Sequence, residues 1–240
     1  MNRYYIAQAV KITSPVFFGY IAIGIPFGLM VTTAGYPWWL APLMSLLMYA
    51  GAGQYVAIGL FASGVPLTAI AVTELLLNIR HIVYGLSLIS GFKNTGKWKP
   101  FLIFALTDET YALLTGVKLP KHTDPGAFYG TIALLNYSYW VSGSTIGAAA
   151  GAVLPFSFEG VDFALTALFA VMLVNRMKST RDFLPVIIGA AVTVFAVILS
   201  KAGILDGKHI LICALSAGIA SLIIFRGNKS TKEISNRTEP

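Results

Sequence analysis

One stretch of the sequence limits the possible folds more than any other. Residues 66–90, PLTAIAVTELLLNIRHIVYGLSLIS, form an apolar segment of membrane-spanning length, yet Glu74, Arg80 and His81 lie near its middle. A charged side chain at the centre of a bilayer costs about 2.5–3.5 kcal/mol on insertion scales. We therefore expect these groups to face a protein interior or a water-filled path, as in a protein that moves a polar solute across a membrane.

The composition supports a membrane protein. Of the 240 residues, 56% are hydrophobic and 11% are charged, and the mean hydropathy is +0.74. Soluble domains average roughly 25% charged residues. The apolar runs are about twenty residues long, which indicates helices rather than the ten-residue alternating strands of a barrel. We predict an all-α, polytopic transmembrane bundle forming a single domain over 1–240, with 226–240 as a disordered cytoplasmic tail.

Hydropathy divides the chain into eight apolar segments, at 14–34, 38–62, 66–90, 101–117, 127–154, 161–177, 183–200 and 209–225. Prolines mark several boundaries, among them Pro15 at the start of the first segment. Basic residues concentrate at the N-terminus, in the 176–182 loop and in the tail, whereas the 155–162 loop is acidic. The positive-inside rule therefore places both termini in the cytoplasm. The Lys and Arg residues behind the net charge of +7 lie mostly in loops and tails, where they indicate membrane orientation. The net charge therefore does not indicate nucleic-acid binding.

One basic loop conflicts with eight simple crossings. The sequence KNTGKWK at 93–99 carries three lysines but would lie outside the cell. The conflict disappears if 38–62 and 101–117, each interrupted by polar or glycine-rich residues, enter and leave on one face. Such re-entrant segments occur where they line protein or water. Eight nominal spans is the base expectation, and six crossings with two re-entrant segments is the alternative.

Polar residues form a stripe on the third segment. Glu74, Asn78, His81 and Gly85 are spaced four, three and four residues apart, which places them on one helix face. Arg80 lies beside this stripe. The pattern indicates a substrate or proton site, because histidine changes its charge near neutral pH. The alternative is a structural ion pair that docks this helix to its neighbours.

Two adjacent carboxylates, Asp108 and Glu109, interrupt the fourth segment. They point about 100° apart on a helix, so both cannot face lipid cheaply. Arg80 is a candidate ion-pair partner for one of them. A buried acid without a cationic partner can instead act as a proton relay.

The first two segments contain residues that weaken helices. Proline removes a backbone hydrogen bond and glycine lowers helix stability, so a break near mid-membrane would expose backbone groups that transporters use to hold charged substrate ends. The alternative is close helix packing through small residues. The residues concerned are Gly24, Pro26 and Gly28 in the first segment and Tyr49, Gly51, Gly53 and Gln54 in the second.

Later segments carry packing signals. Gly143, Gly147 and Gly151 form a GxxxGxxxG row, which predicts a packing face within the subunit or against a partner. The single cysteine, Cys213, is expected to be a buried structural thiol. No zinc-protease, phosphate-loop or nucleophile-elbow motif is present, so the chain is not expected to be an enzyme or to hold a metal or cofactor.

Taken in order along the chain, these motifs resemble the AzlC/YgaZ-type large subunits of branched-chain amino-acid exporters, the LIV-E family. The resemblance covers roughly residues 14–178. Gly53 stands where the family often has serine, and Asn78 where it often has aspartate. The matching stretches are PFG at 26–28, YAGAGQ at 49–54, NIRHIVYG at 78–85, LTDE at 106–109, YWVSGSTIG at 139–147 and DFALTALF at 162–169.

The resemblance implies a multi-pass exporter of leucine, isoleucine and valine in a prokaryotic plasma membrane. It also implies a second, small membrane subunit of the AzlD/YgaH type. We expect coupling to the proton gradient, with Glu74, His81, Asp108 and Glu109 as the proton-coupling candidates. The glycine and proline motifs, Tyr49, Gln54, Asn78 and Arg80 are the substrate-binding candidates. Export of another small zwitterionic metabolite and a non-transporting scaffold subunit are the alternatives.

Overall fold

The computed structural model describes residues 3–120, 123–154, 161–180 and 182–238, and all regular structure among them is helical. Short 3-10 turns lie at Gly96–Trp98 and Gly207–His209. The helices are α1 (Arg3–Thr33), α2 (Leu40–Leu47), α3 (Gly51–Ala62), α4 (Leu67–Ser87), α5 (Lys99–Phe104), α6 (Asp108–Gly116), α7 (Pro125–Val153), α8 (Val161–Thr180), α9 (Leu184–Lys201) and α10 (Ile210–Thr238).

Four of the described helical stretches are long and apolar enough to cross a membrane. They are Tyr5–Thr33, Leu67–Ser87, Leu184–Lys201 and Gly207–Phe225. The predicted all-helical membrane architecture is confirmed to this extent. The number of crossings and the side on which the termini lie stay predictions. Most of the acidic 155–162 loop, and the side chains of the 226–240 tail, lie outside the described residues.

The first helix is longer than the sequence predicts and does not break. It begins at Arg3 and passes through both Pro15 and Pro26, so Pro15 does not mark a boundary. Proline cannot donate to the carbonyl four residues earlier. For Pro15 that carbonyl belongs to Lys11, and the Ser14 hydroxyl donates to it at 3.0 Å. A side chain thus satisfies one carbonyl that the proline leaves free.

The two segments considered as re-entrant, 38–62 and 101–117, are each divided into two helices. The second divides into α2 and α3 around residues 48–50, and Tyr49 takes a left-handed backbone conformation with φ of 43°. The fourth divides into α5 and α6 around residues 105–107. At 1.5 Å per residue, none of these four helices reaches the roughly 30 Å of a bilayer core. The continuity of α1 and these two breaks decide where a site can form.

The chain divides into two compact units. The first comprises Met1–Gly59 and Asn78–Phe169, and the second comprises Leu60–Leu77 and Ala170–Pro240. In the first unit α7 is the central helix, and it contacts α1, α2, α5 and α6. All the polar networks described below lie in this unit.

The glycine row of α7 packs against α1. A Cβ atom at Gly147 would overlap the carbonyl of Ile25, and one at Gly28 would overlap the carbonyl of Ser144. At Gly24 it would lie 3.1 Å from the Ser144 backbone nitrogen. The two helices therefore approach closely only because these positions lack side chains, as the packing interpretation of the row requires.

In the second unit α9 packs against α10. The Lys208 ammonium lies 3.5 Å from the carbonyl of Gly64, to which it donates. Cys213 of α10 is exposed, so the prediction of a buried thiol is wrong. The stretch Gly207–Phe225, which is apolar enough to span a bilayer, has none of the residues of its apolar window buried inside the protein.

Candidate functional site

The two helix breaks of the first unit lie against one side chain of α7. The Tyr137 hydroxyl donates to the carbonyl of Leu46 at 2.7 Å, near the end of α2. Its ring centroid lies 4.9 Å from that of Tyr49, in the first break. It also lies 6.0 Å from that of Phe104, the last residue of α5. Tyr137 therefore joins the ends of α2 and α5.

An ion pair joins α4 to the start of α6. The Arg80 guanidinium donates from Nη1 to Asp108 Oδ2 at 2.6 Å, and the Tyr84 hydroxyl donates to Asp108 Oδ1 at 2.6 Å. Of the two acids that the sequence offers as partners of Arg80, the structure selects Asp108. The Arg80 Nε atom is buried and has no hydrogen-bond partner among the described residues. Asp108 therefore accepts from only part of the guanidinium, and the Nε donor is left for another acceptor.

The polar stripe of α4 is turned away from the apolar surface of that helix. Glu74, Asn78 and His81 are half-buried, whereas Leu75 and Val83 are exposed. His81 lies within electrostatic range of the Arg80–Asp108 pair. The spacing argument for one polar face is therefore correct. Glu74 belongs to the second unit and the other two residues to the first.

Hydroxyl groups surround the start of α6. Thr107 caps this helix, and its Oγ1 accepts from the Thr110 backbone N–H at 3.2 Å. The same oxygen shares hydrogen bonds with the Thr110 hydroxyl at 3.1 Å and the Tyr20 hydroxyl at 2.7 Å. The Tyr20 hydroxyl donates to Glu109 Oε2 at 2.7 Å. We call Tyr20, Thr107 and Thr110 the hydroxyl chain.

Asn136 of α7 closes the other end of the hydroxyl chain. Its Nδ2 donates to Thr110 Oγ1 at 3.1 Å, and the side chain is fully buried. Sequence reasoning did not assign Tyr20 to a site. Tyr20 lies in an apolar run of α1, and its partner Glu109 is 89 residues away in the chain, so no local spacing could have identified it.

A second buried network fixes the start of α3. Trp140 Nε1 donates to Gln54 Oε1 at 2.8 Å, and Gln54 Nε2 donates to Ser45 Oγ at 3.1 Å. Ser45 in turn donates to Ser144 Oγ at 2.8 Å. Both ends of the Gln54 amide are therefore bonded within the protein. A Cβ atom at Gly51 would make ordinary contact with the Trp140 ring at 3.6 Å, so α3 begins directly beside that ring.

Most of the predicted site residues lie in the first unit, but they lie in separate places within it. Gly24 and Gly28 lie in the α1–α7 contact, and Pro26 lies in the same continuous helix. Tyr49, Gly51, Gly53 and Gln54 surround the first break, and Asp108 and Glu109 follow the second. The starts of α3 and α6 present backbone N–H groups and a positive dipole end, and Arg80 offers a cation. Such a combination can bind the carboxylate of a zwitterion.

Comparison with known proteins agrees with this architecture. A Helicobacter pylori (strain J99) protein described as an uncharacterized membrane protein is 37% identical over 215 residues, which cover 89% of this chain and 92% of that protein. The branched-chain amino acid transport protein AzlC of Bacillus subtilis is 31% identical over 229 residues, covering 95% and 88%. The inner membrane protein YgaZ of Escherichia coli is 31% identical over 217 residues, covering 83% and 86%.

No solved structure matches this chain. The family model described as AzlC protein matches residues 15–154, which include most of α1 and all of α2 to α7. This match contains both helix breaks, the Arg80–Asp108 pair and the hydroxyl chain. The chain belongs to the AzlC protein family.

Proposed function

We propose that this chain is the large subunit of a secondary transporter that exports leucine, isoleucine and valine across a prokaryotic plasma membrane. The name of the Bacillus subtilis relative, branched-chain amino acid transport protein, supports the substrate class. The polar interior of the first unit supports transport of a charged solute. In this proposal the chain has eight nominal membrane segments with both termini cytoplasmic, and it works with a small subunit of the AzlD/YgaH type.

The partly used guanidinium of Arg80 is the observation that carries the proposal. Asp108 occupies Nη1, while the buried Nε has no hydrogen-bond partner among the described residues. A buried donor without a partner costs free energy, and the carboxylate of an amino acid would remove that cost. We assign Arg80 to the substrate carboxylate, with the amides at the start of α3 and the Asn78 side chain as further donors.

The helix breaks define the rest of the proposed substrate site. Tyr49, Gly51 and Gly53 surround the first break, and the Gln54 network holds α3 in place there. Because α1 is continuous, Gly24, Pro26 and Gly28 contribute by bringing α1 close to α7 and not by exposing backbone groups. We assign proton coupling to titratable residues of α4 and α6, namely Glu74, His81, Asp108 and Glu109.

Efflux of labelled leucine from preloaded cells tests the proposed function. Cells would express this chain with and without its small partner, before and after addition of a protonophore. We expect partner-dependent efflux that collapses with the gradient, and unlabelled isoleucine and valine should compete. Absence of leucine efflux in every condition would contradict the proposal. Efflux of a different zwitterion would indicate the first alternative, and no gradient-dependent flux from the purified complex would indicate a scaffold.

Substitutions at Arg80 test the site itself. Arg80→Lys keeps the positive charge for Asp108 but removes the Nε donor and the planar fork, so we expect it to lose leucine efflux nearly as completely as Arg80→Ala. Lys118→Ala, at an exposed position, is the control and should transport normally. Full activity of Arg80→Lys with normal expression would mean that Arg80 serves only to dock α4 onto α6.

A further inference from the structure

We propose that Glu109 binds the coupled proton, and that the hydroxyl chain with Asn136 stabilises this carboxyl group in both its charged and its protonated form. The inference rests on the proposed function. It distinguishes Glu109 from the three other proton-coupling candidates. It also gives a role to Tyr20, Thr107, Thr110 and Asn136, which the substrate site does not use.

Each hydroxyl of the chain has one proton, so the directions of the hydrogen bonds depend on one another. When Glu109 is charged, Tyr20 donates to it at 2.7 Å. The contact of 2.7 Å between Tyr20 and Thr107 must then use the proton of Thr107. In the structure the Thr107 hydroxyl donates to Thr110 Oγ1 at 3.1 Å, so the charged form requires this hydroxyl to turn from Thr110 to Tyr20. Asn136 Nδ2 donates to Thr110 at the far end, so in the charged form the protons of Thr107 and Tyr20 both point toward the carboxylate.

The same atoms also accommodate a protonated Glu109. The carboxyl group would donate to Tyr20, Tyr20 to Thr107, and Thr107 to Thr110. The chain then needs an acceptor beyond Thr110, and a rotation of the Asn136 amide by half a turn provides Oδ1 in place of Nδ2. In the present arrangement Asn136 Oδ1 is buried without a hydrogen-bond partner in the described part of the chain, so the rotation breaks no bond to that oxygen.

Exposure determines where a proton can enter. Tyr20, Thr107, Thr110 and Asn136 are each less than 10% exposed, whereas Glu109 is exposed. A charged group on a membrane-embedded helix does not face lipid cheaply, so this side of Glu109 faces water or another protein surface. Glu109 is therefore the member of the group that can exchange a proton with its surroundings.

The charged and titratable groups around Glu109 separate its role from that of Asp108. Asp108 is neutralised by Arg80 and receives a second hydrogen bond from Tyr84, so a proton there would have to displace the salt bridge. Glu109 makes no ion pair with any described residue. Its titratable neighbours are the Tyr20 hydroxyl and the buried Tyr49 hydroxyl, while His81 lies near the Arg80–Asp108 pair.

Reconstituted vesicles containing the full chain and its small partner test the inference. A gradient of about one pH unit supports roughly a tenfold leucine concentration ratio at one proton per leucine. We expect Glu109→Gln, which is permanently neutral, to reduce this ratio to about one while leucine–leucine exchange without a gradient continues. Retention of the full ratio would overturn the inference. Loss of exchange together with the ratio would also overturn it, because Glu109 would then be needed for substrate movement.

Tyr20→Phe tests the hydroxyl chain separately from the carboxyl group. It keeps the ring that packs edge-on against Trp140 at 5.5 Å but removes the hydroxyl that hydrogen-bonds to both Thr107 and Glu109. We expect a smaller leucine ratio with preserved exchange. Tyr55→Phe is the matched control, because it removes a hydroxyl that donates to the Ile23 carbonyl at 2.6 Å and does not belong to the hydroxyl chain. Equal effects of the two substitutions on the leucine ratio would overturn the role of the hydroxyl chain.

Chemical labelling tests proton binding without leucine. Dicyclohexylcarbodiimide reacts with protonated carboxyl groups, and mass spectrometry locates the modified residue. We expect labelling of Glu109 to rise as the buffer is acidified, with little labelling of Asp108. Absence of Glu109 labelling in acid would overturn the inference. If the wild type labels at Glu109 but does not move leucine, the proposed substrate is wrong and the proton site stands.

Discussion

At the scale of single residues, the Asp108 carboxylate is held from two directions. Arg80 and Tyr84, one turn apart on α4, each donate to a different oxygen at 2.6 Å. Removing one partner of a buried ion pair is costly because the other charge is left uncompensated. Asp108 is only partly buried, so the cost is smaller here than in a protein core. The pair nevertheless fixes the start of α6 relative to α4.

The Tyr84 hydroxyl should contribute measurably to stability. Tyr84→Phe removes a hydrogen bond to a charged group, and such bonds contribute about 1.5–3 kcal/mol. Its ring stacks on that of Tyr111 with centroids 4.5 Å apart, and the substitution preserves this contact. We expect a lower melting temperature for the purified protein in detergent, measured by a thermal-shift assay.

The neighbouring tyrosine provides the control for that measurement. Tyr111→Phe also preserves the stack, but the hydroxyl it removes accepts a hydrogen bond from the exposed Ser87 at 3.1 Å and contacts no charged group among the described residues. We expect a change of less than about 0.5 kcal/mol, as for ordinary surface substitutions. Equal melting temperatures for the two variants would show that the Tyr84–Asp108 hydrogen bond has no net stabilising effect.

At the scale of helices, the sequence predicts most elements from length and hydrophobicity. It also locates both breaks, because glycines around Tyr49 and the polar group around Asp108 interrupt otherwise apolar segments. It overestimates the effect of proline in α1. A proline costs a helix least where another group satisfies the freed carbonyl, and Ser14 does so at Lys11. Side-chain partners of that kind are visible only once the helix is built.

Polar networks between helices exceed what local patterns can predict. Helical spacing places His81 and Asn78 on one face of α4, and charge matching suggests an acid for Arg80. The hydroxyl chain depends instead on α1, α6 and α7 meeting in three dimensions. Neutral hydroxyls and amides have no charge or spacing rule that identifies their partners from sequence.

The close contact of α1 and α7 should tolerate no added side-chain atom at its centre. Gly28→Ala places a methyl group against the backbone of Ser144 and Ala148, and overpacking of this kind costs about 1–3 kcal/mol. Gly19→Ala lies on the same helix with nothing within 4 Å of the added atom, and it should be neutral or favour the helix. Thermal unfolding of the two purified variants gives the comparison, and equal stability would mean that the helices separate at no cost.

At the scale of the whole molecule, the path of the two broken segments decides on which side of the membrane the lysine-rich loop lies. Helices α2 and α3 precede α4, the 93–99 loop follows it, and α5 and α6 come next. With eight simple crossings this loop lies outside the cell. If α2–α3 and α5–α6 each enter and leave on one face, the loop lies in the cytoplasm with both termini, as its three lysines favour. The shortness of all four helices makes the second arrangement our prediction.

Cysteine accessibility distinguishes the two arrangements. In a Cys213→Ser background we expect Asn94→Cys, in the exposed lysine loop, to react with an impermeant thiol reagent only from the cytoplasmic side, and Ala62→Cys, at the end of α3, only from the outside. Lys118→Cys is the control, because both arrangements place it in the cytoplasm. The reversed pattern, with Asn94→Cys labelled from outside and Ala62→Cys from inside, would establish eight simple crossings and require the lysine loop to oppose the positive-inside rule.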